Sequence, residues 1–427
     1  MKLQPLASLQ ALRSDGRPLF TTRIVRMFAY GFLSVVLVLY LQQLGLSETQ
    51  IGLLLTLTLI GDVLITLWIT TIADRIGRKR MLILGAALMA MAGAFFALTH
   101  NFLMLVIAAT IGVISPSGNE IGPFLSLEQA ALSQIVPNEL RTRIFAWYSL
   151  VGSFATALGA LTGGGLAQAL QDSGIAAESS YRVIVIGYAT MGVILGALFS
   201  GLSPAIEAPP NDPSDSPGSP QRFFGLHRSR GVVLRLSALF SLDAFAGGFV
   251  LQSIVAYWFH VRFGVRPALL GGIFFGANVL AGISALTAAR VASRIGLINT
   301  MVFTHIPSNI LLILVPLMPN LPLAIAVLLL RFSISQMDVP TRQSYTMAVV
   351  SPDERSAAAG ITSIARTVGA SLSPVFTGPL LASAALLSMP FFLSGGLKII
   401  YDLMLYRSFR AVRPPEEEGL PVGKEST

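Results

Sequence analysis

The feature that most constrains this chain is a succession of long apolar runs, at about 19–44, 50–73, 81–99, 102–131, 144–170, 182–203, 232–260, 268–290, 299–317, 321–349, 357–383 and 385–405. Each is close to or above the ~20 residues an α-helix needs to cross a hydrocarbon core. Long runs without sustained polar–apolar alternation are helices rather than barrel strands, because in lipid every backbone polar group must find its partner inside the protein. The predicted fold class is an all-α membrane protein with twelve transmembrane helices. Composition agrees: 53% of the 427 residues are hydrophobic and 12% charged, and the mean hydropathy is +0.72. Those values exclude a soluble globular enzyme.

A formal charge of +8 would point to nucleic acid in a soluble domain, but here the cations gather between apolar runs, so no nucleic-acid partner is expected. The chain has no cysteine, which removes disulfides, thiolate metal sites and a Cys nucleophile. His100, His227, His260 and His305 are too scattered for a metal site, and no phosphate-binding GxxxxGK[ST] loop occurs. Neither a cofactor, a metal nor catalysis is expected.

Charge asymmetry sets the expected topology. Arg75, Arg78, Lys79, Arg80, Arg141, Arg143, Arg222, Arg228, Arg230, Arg294 and Arg355 fall in alternate loops, against Arg182, Arg262 and Arg266 in the others. The positive-inside bias then places both termini in the cytoplasm of a multi-pass protein of the inner or plasma membrane. Residues 1–18 are polar and read as a cytoplasmic segment without a cleavable signal. The stretch from Glu207 to Pro220 is too polar and proline-rich to pack, so 206–230 reads as a flexible cytoplasmic linker between helical halves at 19–205 and 231–406, with a cytoplasmic tail at 407–427. An internal repeat supports two pseudo-symmetric six-helix bundles. Arg26–Phe32 aligns with Asp243–Phe249, Ala73–Gly77 with Ala292–Gly296, and Pro137–Arg141 with Pro352–Arg355, all in the same order. Parallel repeats of this kind enclose a solute path near the midplane.

Ala73-Asp-Arg-Ile-Gly-Arg-Lys-Arg80 resembles the loop between helices two and three of the major facilitator superfamily (MFS), with Thr70 at the position of the leading glycine. That resemblance implies the MFS fold and secondary transport over essentially the whole chain. It also implies that Asp74, beside Arg75, Gly77, Arg78 and Lys79, helps hold the cytoplasmic side closed. Independently of the family, Gly77 suits a positive-φ turn, and Asp74 could accept from a neighbouring helix N-terminus or pair with Arg141 or Arg143. In the fifth run, Gly152, Gly159, Gly163 and Gly164 resemble the superfamily's antiporter motif, with Ala160 in place of its proline. Small residues so spaced also serve plain helix packing. The superfamily's helix-four arginine is not present, since no cation lies between Phe102 and Pro123.

Ionisable groups inside a span are expensive and mark function or pairing. Asp62 lies near the middle of the second run. In the fourth run, Ser115-Pro-Ser-Gly-Asn-Glu-Ile-Gly-Pro123 cannot sustain a helical hydrogen-bond ladder, so Asn119 and Glu120 are expected beside a cavity, with Glu128 further on. The tenth run carries Arg331, Asp338, Pro340 and Arg342, and the i, i+4 spacing lets Asp338 meet Arg342. Paired interruptions in corresponding helices point to a transporter's binding region. Arg26 and Asp243 occupy the same repeat position and could form an ion pair in one access state that breaks in the other, the alternative being an Arg26 that snorkels to the inner surface. Arg366 is expected to serve Glu128.

The expected function is secondary active transport of a small solute by alternating access, as a monomer in the bilayer with the proton as coupling ion. Asp62, Glu120 and Asp338 are the candidate proton carriers. Export ranks first, uptake or facilitated diffusion of a polar metabolite second, and a non-transporting receptor on the same fold third.

Overall fold

The computed structural model describes residues 16–120, 122–136, 138–207, 228–351 and 354–410. These residues are nearly all helical, with no strand among them. Each predicted apolar run is occupied by helix. The first two runs give α1 (Gly16–Ser34), bent by 46° from α2 (Leu37–Gln43), and then α3 (Glu48–Ile76). Next come α4 (Arg78–Leu98), α5 (Phe102–Ile111), α6 (Phe124–Ile135), α7 (Asn138–Asp172) and α8 (Ala177–Ser200). The remaining helices are α9 (Arg230–Gly248), α10 (Gln252–Phe263), α11 (Pro267–Ile295), α12 (Leu297–Leu314), α13 (Leu321–Phe332), α14 (Asp338–Ala348), α15 (Arg355–Leu372), α16 (Pro374–Leu381) and α17 (Met389–Phe409). Among the described residues, seven helical stretches are long and apolar enough to cross a membrane, α9 and α10 together forming one of them (Arg230–Phe263), and an eighth if the bent α1–α2 pair is one span.

Local sequence explains the boundaries. Ser47 and Gln50 form a reciprocal capping box at the start of α3. Asn101 and Asn320 cap α5 and α13 by accepting from the N–H groups of Met104 and Leu323, at 3.2 and 3.1 Å. Gly77 turns the chain between α3 and α4 at φ +114°, as expected, and Gly296 does so between α11 and α12 at φ +85°.

Chain contacts define two units. The first comprises residues 1–215, 251–279 and 374–387. In it α1 packs on α7 and α8, α4 on α8, and α3 on both α5 and α16. The helix-five glycines serve this packing: a Cβ on Gly159 or Gly163 would strike the carbonyls of Phe28 or Phe32 in α1, and one on Gly152 the Arg23 guanidinium. Gly164 lies equally close to the Pro267 carbonyl at the start of α11. One end of the unit is tied by polar bonds. Gln252 donates to Ser34 (2.8 Å) and accepts from Asn278 (3.1 Å), Tyr257 donates to Glu48 (2.8 Å), and the Ser253 N–H donates to the Pro116 carbonyl (3.1 Å).

The second unit comprises 216–250, 280–373 and 388–427. Here α9 packs on α15 and α17, and α12 on α14 and α17. Leu236, Phe240, Met301, Tyr345, Tyr401 and Leu405 form its apolar core. Most of the expected linker and the terminal segments lie outside the described residues. Glu207 is among the linker residues that are described. Predicted as part of a flexible linker, it instead follows a 3-10 turn at Pro204–Ile206, and its carboxylate accepts the N–H groups of Arg78 (2.5 Å) and Lys79 (3.3 Å). A carboxylate there satisfies helix-start donors that α4 has no side-chain cap to fill.

Candidate functional site

Helix four is broken, as its sequence requires: α5 stops at Ile111 and α6 resumes at Phe124. The intervening backbone uses positive φ at Gly118 and Gly122. Asn119 is exposed and Glu120 partly exposed on this segment, while Glu128 in α6 is wholly buried. Helix ten is broken in the corresponding place, between α13 and α14, over residues 333–337. Irregular backbone at such a depth is tolerated only where it is buried in protein or lines a water-filled cavity.

In the first unit the charges close on one another. Glu128 accepts from Thr22 (2.8 Å), from both terminal nitrogens of Arg26 (2.8 and 2.7 Å) and from the Tyr148 hydroxyl. Arg26, itself fully buried, turns its Nε to Glu120 at 2.9 Å and lies over the Phe124 ring. Arg23 pairs with the other oxygen of Glu120 and lies over Tyr148. In this structure Arg26 is engaged by two glutamates of its own unit instead of Asp243, and, fully buried, it does not snorkel to a surface. The physical reason is bidentate geometry, which lets one guanidinium satisfy Glu128 and Glu120 together.

Asp62 differs from these. It is 5% exposed, its Oδ1 has no hydrogen-bond partner, and no cation pairs with it among the described residues. Beside it Gly61 packs its α-carbon on the Thr110 backbone at the end of α5, close enough that any Cβ would collide. The backbone of Gly122 and the side chain of Thr66 are polar neighbours of the carboxylate. Asp62 thus stands next to the helix-four break.

The second unit gathers a larger network around Asp243. Its Oδ1 accepts from Lys398 (2.5 Å) and its Oδ2 from Arg342 (3.2 Å) and Arg366 (3.1 Å). Arg342 also reaches Asp338 at 3.0 Å, so the expected i, i+4 contact forms. Arg366 serves Asp243, not Glu128 as expected, because Glu128 is already saturated by Arg26. Behind Asp243, His305 bonds Asp402 at 2.8 Å and lies 4.0 Å from Asp243, while Asn309 donates to the second Asp402 oxygen at 3.0 Å. Arg331 closes α13 with its Nε buried and unpartnered.

Sequence reading passed over Arg23, Tyr148, His305, Lys398 and Asp402. For Lys398 and Asp402 a signal existed, since they stand four residues apart inside the last apolar run. His305 had none, as a lone histidine in an apolar helix is ordinarily a satisfied core residue. Glu354, which accepts the N–H groups of Arg228 and Ser229 at 2.8 Å each, was likewise unremarked. The side chains of Asp74, Arg141 and Arg143, expected to pair, lie outside the described residues. Arg75, Gly77, Arg78 and Lys79 sit as expected at the α3–α4 turn.

These geometries can be set beside known proteins. The chain is 32% identical over 424 residues to an uncharacterized membrane protein of Saccharomyces cerevisiae, covering 93% of this chain and 94% of that one. It is 28% identical over 138 residues to the quinolone resistance protein NorA of Staphylococcus aureus, a stretch of 32% of this chain and 34% of NorA. Among solved structures, a bacterial homologue of the human lysosomal transporter Spinster, described as inward-facing and occupied, matches with a TM-score of 0.71 at 18% identity, over 96% of this chain and 98% of that one. The family model of the Major Facilitator Superfamily matches residues 19–374. This multi-pass membrane protein, with its broken helices and buried charge networks, belongs to the Major Facilitator Superfamily of transporters.

Proposed function

We propose that the chain is a proton-coupled secondary transporter that exports a small organic solute across the cell membrane, as a monomer working by alternating access of two six-helix halves, 19–205 and 231–406. The observation that carries the coupling is Asp62. A carboxyl group inside a span with an unpartnered oxygen and no counter-cation is held at lowest cost when it binds a proton, and releasing that proton demands water or a change of surroundings. Glu120, Glu128 and Asp338 are weaker carriers, because each is already paired with arginine. The similarity to NorA, a resistance protein, supports export. The distribution of loop cations supports cytoplasmic termini and twelve crossings. Asp74 and its basic neighbours would act at the cytoplasmic turn. Uptake of a polar metabolite is the second reading, favoured by the density of charges around Asp243.

Reconstituted protein provides the test. Asp62→Asn should abolish solute movement driven by a pH gradient while leaving solute–solute counterflow. Undiminished gradient-driven transport in that variant would remove Asp62 as the coupling site.

A further inference from the structure

Among the described residues of the second unit, the buried charge network around Asp243 holds more cations than carboxylates. In the network around Asp243 and Asp338 stand Arg331, Arg342, Arg366 and Lys398, against Asp243, Asp338 and Asp402. Every one of those carboxylates is already paired: Asp243 by three cations, Asp338 through one oxygen by Arg342, and Asp402 by His305 and Asn309. A cationic solute would have to compete with those partners. Arg331 forms no ion pair among the described residues and its buried Nε has no hydrogen-bond partner. Its guanidinium lies over the Phe332 ring, 5.0 Å from the centroid. An unneutralised guanidinium within a span is costly unless an anion or water meets it.

The break between α13 and α14, which begins just after Arg331 in the chain, adds two further features. Ser335 is 6% exposed and its hydroxyl has no hydrogen-bond partner. The start of α14 has no side-chain cap, Met337 standing at the cap position, so its first N–H groups and the positive end of its dipole are turned to the break. A guanidinium, a free hydroxyl and an uncapped helix start are the donors that a carboxylate or phosphate monoester requires, and the carboxylate at that helix start, Asp338, is held by Arg342 at 3.0 Å. Arg366, at 32% side-chain exposure, is more exposed than Arg342 or Lys398 and is bonded to Asp243 through one nitrogen.

We infer that the helix-ten break is the solute-anchoring site and that the solute is an organic anion whose carboxylate or phosphate is taken by Arg331 and Ser335. This rests on the reading of the chain as a transporter. It deepens that reading by fixing the sign of the solute, which the sequence leaves open.

The full-length protein in lipid nanodiscs is assayed for thermal stabilisation by a matched series: 2-naphthoate, 1-naphthyl phosphate, 1-naphthylmethylammonium and 2-naphthylmethanol. The two anions should stabilise the wild type and the other two should not. Arg331→Gln should weaken the anions about tenfold or more, as for loss of one charge-assisted bond, and Ser335→Ala by about two- to tenfold. Arg331→Lys, which preserves the charge, should retain part of the binding and covers the case in which Arg331→Gln does not fold. Arg235→Gln, which alters an exposed cation of α9, should change nothing. Preference for the ammonium or the alcohol, stabilisation by none of the four, or anion binding unmoved in the Arg331 variants overturns the site. Flux in proteoliposomes separates the two readings. Anion binding with no movement of any probe overturns the transporter and leaves the site, whereas movement of the ammonium alone overturns the site and leaves the transporter.

Discussion

The most exacting test of the first unit is to truncate Glu128. Its carboxylate is 0% exposed and accepts four hydrogen bonds, two of them a bidentate grip on an equally buried Arg26. Glu128→Ala leaves that guanidinium with the single Nε contact to Glu120 and orphans the Tyr148 hydroxyl, while Thr22 keeps its bond to the Leu19 carbonyl at 2.9 Å. Removing one partner of a buried ion pair costs about 3–5 kcal/mol, most of it the penalty of an uncompensated charge rather than the worth of the bond. Replacing both partners by apolar residues of similar volume, as in Arg26→Met with Glu128→Met, should return much of that loss, because no unpaired charge remains at that contact. The assay is equilibrium unfolding of purified protein in mixed micelles, run as a double-mutant cycle. A loss below about 1 kcal/mol for Glu128→Ala, or a double variant as unstable as the sum of the singles, would refute the claim that burial of matched charge holds α1 to α6.

Close backbone packing gives a second prediction: Gly61→Val drives a side chain into the Thr110 backbone, so folded yield and the unfolding midpoint should fall, with a cost of about 1–3 kcal/mol. Glu207→Gln removes the charge that caps α4 and should lower stability by about 0.3–1 kcal/mol, read in the same unfolding assay. Because the chain has no native cysteine, introduced thiols report cleanly. Val36→Cys, at a fully buried position two residues from Ser34, should react slowly with a membrane-impermeant maleimide and several-fold faster when Gln252→Ala removes the bond to Ser34. Lys79→Cys and Ser173→Cys should be labelled from opposite faces of the membrane, Lys79→Cys from the cytoplasm.

Much of the fold was legible in the chain because lipid imposes a one-dimensional rule: a segment that must satisfy its own backbone declares itself by its apolar length. The breaks in helices four and ten were legible for the same reason, since Pro116, Gly118, Gly122 and Pro123 remove donors or permit φ values that no helix uses. The i, i+4 contact of Asp338 with Arg342 is a property of helix geometry and was likewise readable.

Pairing between distant helices was not. Sequence symmetry set Arg26 opposite Asp243, yet Arg26 chose Glu120 and Glu128, and Asp243 chose Arg342, Arg366 and Lys398. The repeat fixes where along a helix a charge stands but not the direction in which its helix turns it. That direction comes from packing, such as the glycines of α7 that bring α1 close enough for Arg23 and Arg26 to be enclosed. By itself the sequence determined that the chain crosses membranes as helices and where those helices fail. Only the tertiary structure decided which charges cancel and which, like Asp62 and Arg331, are left over, because electrostatic compensation falls off with distance in space and takes no account of distance along the chain.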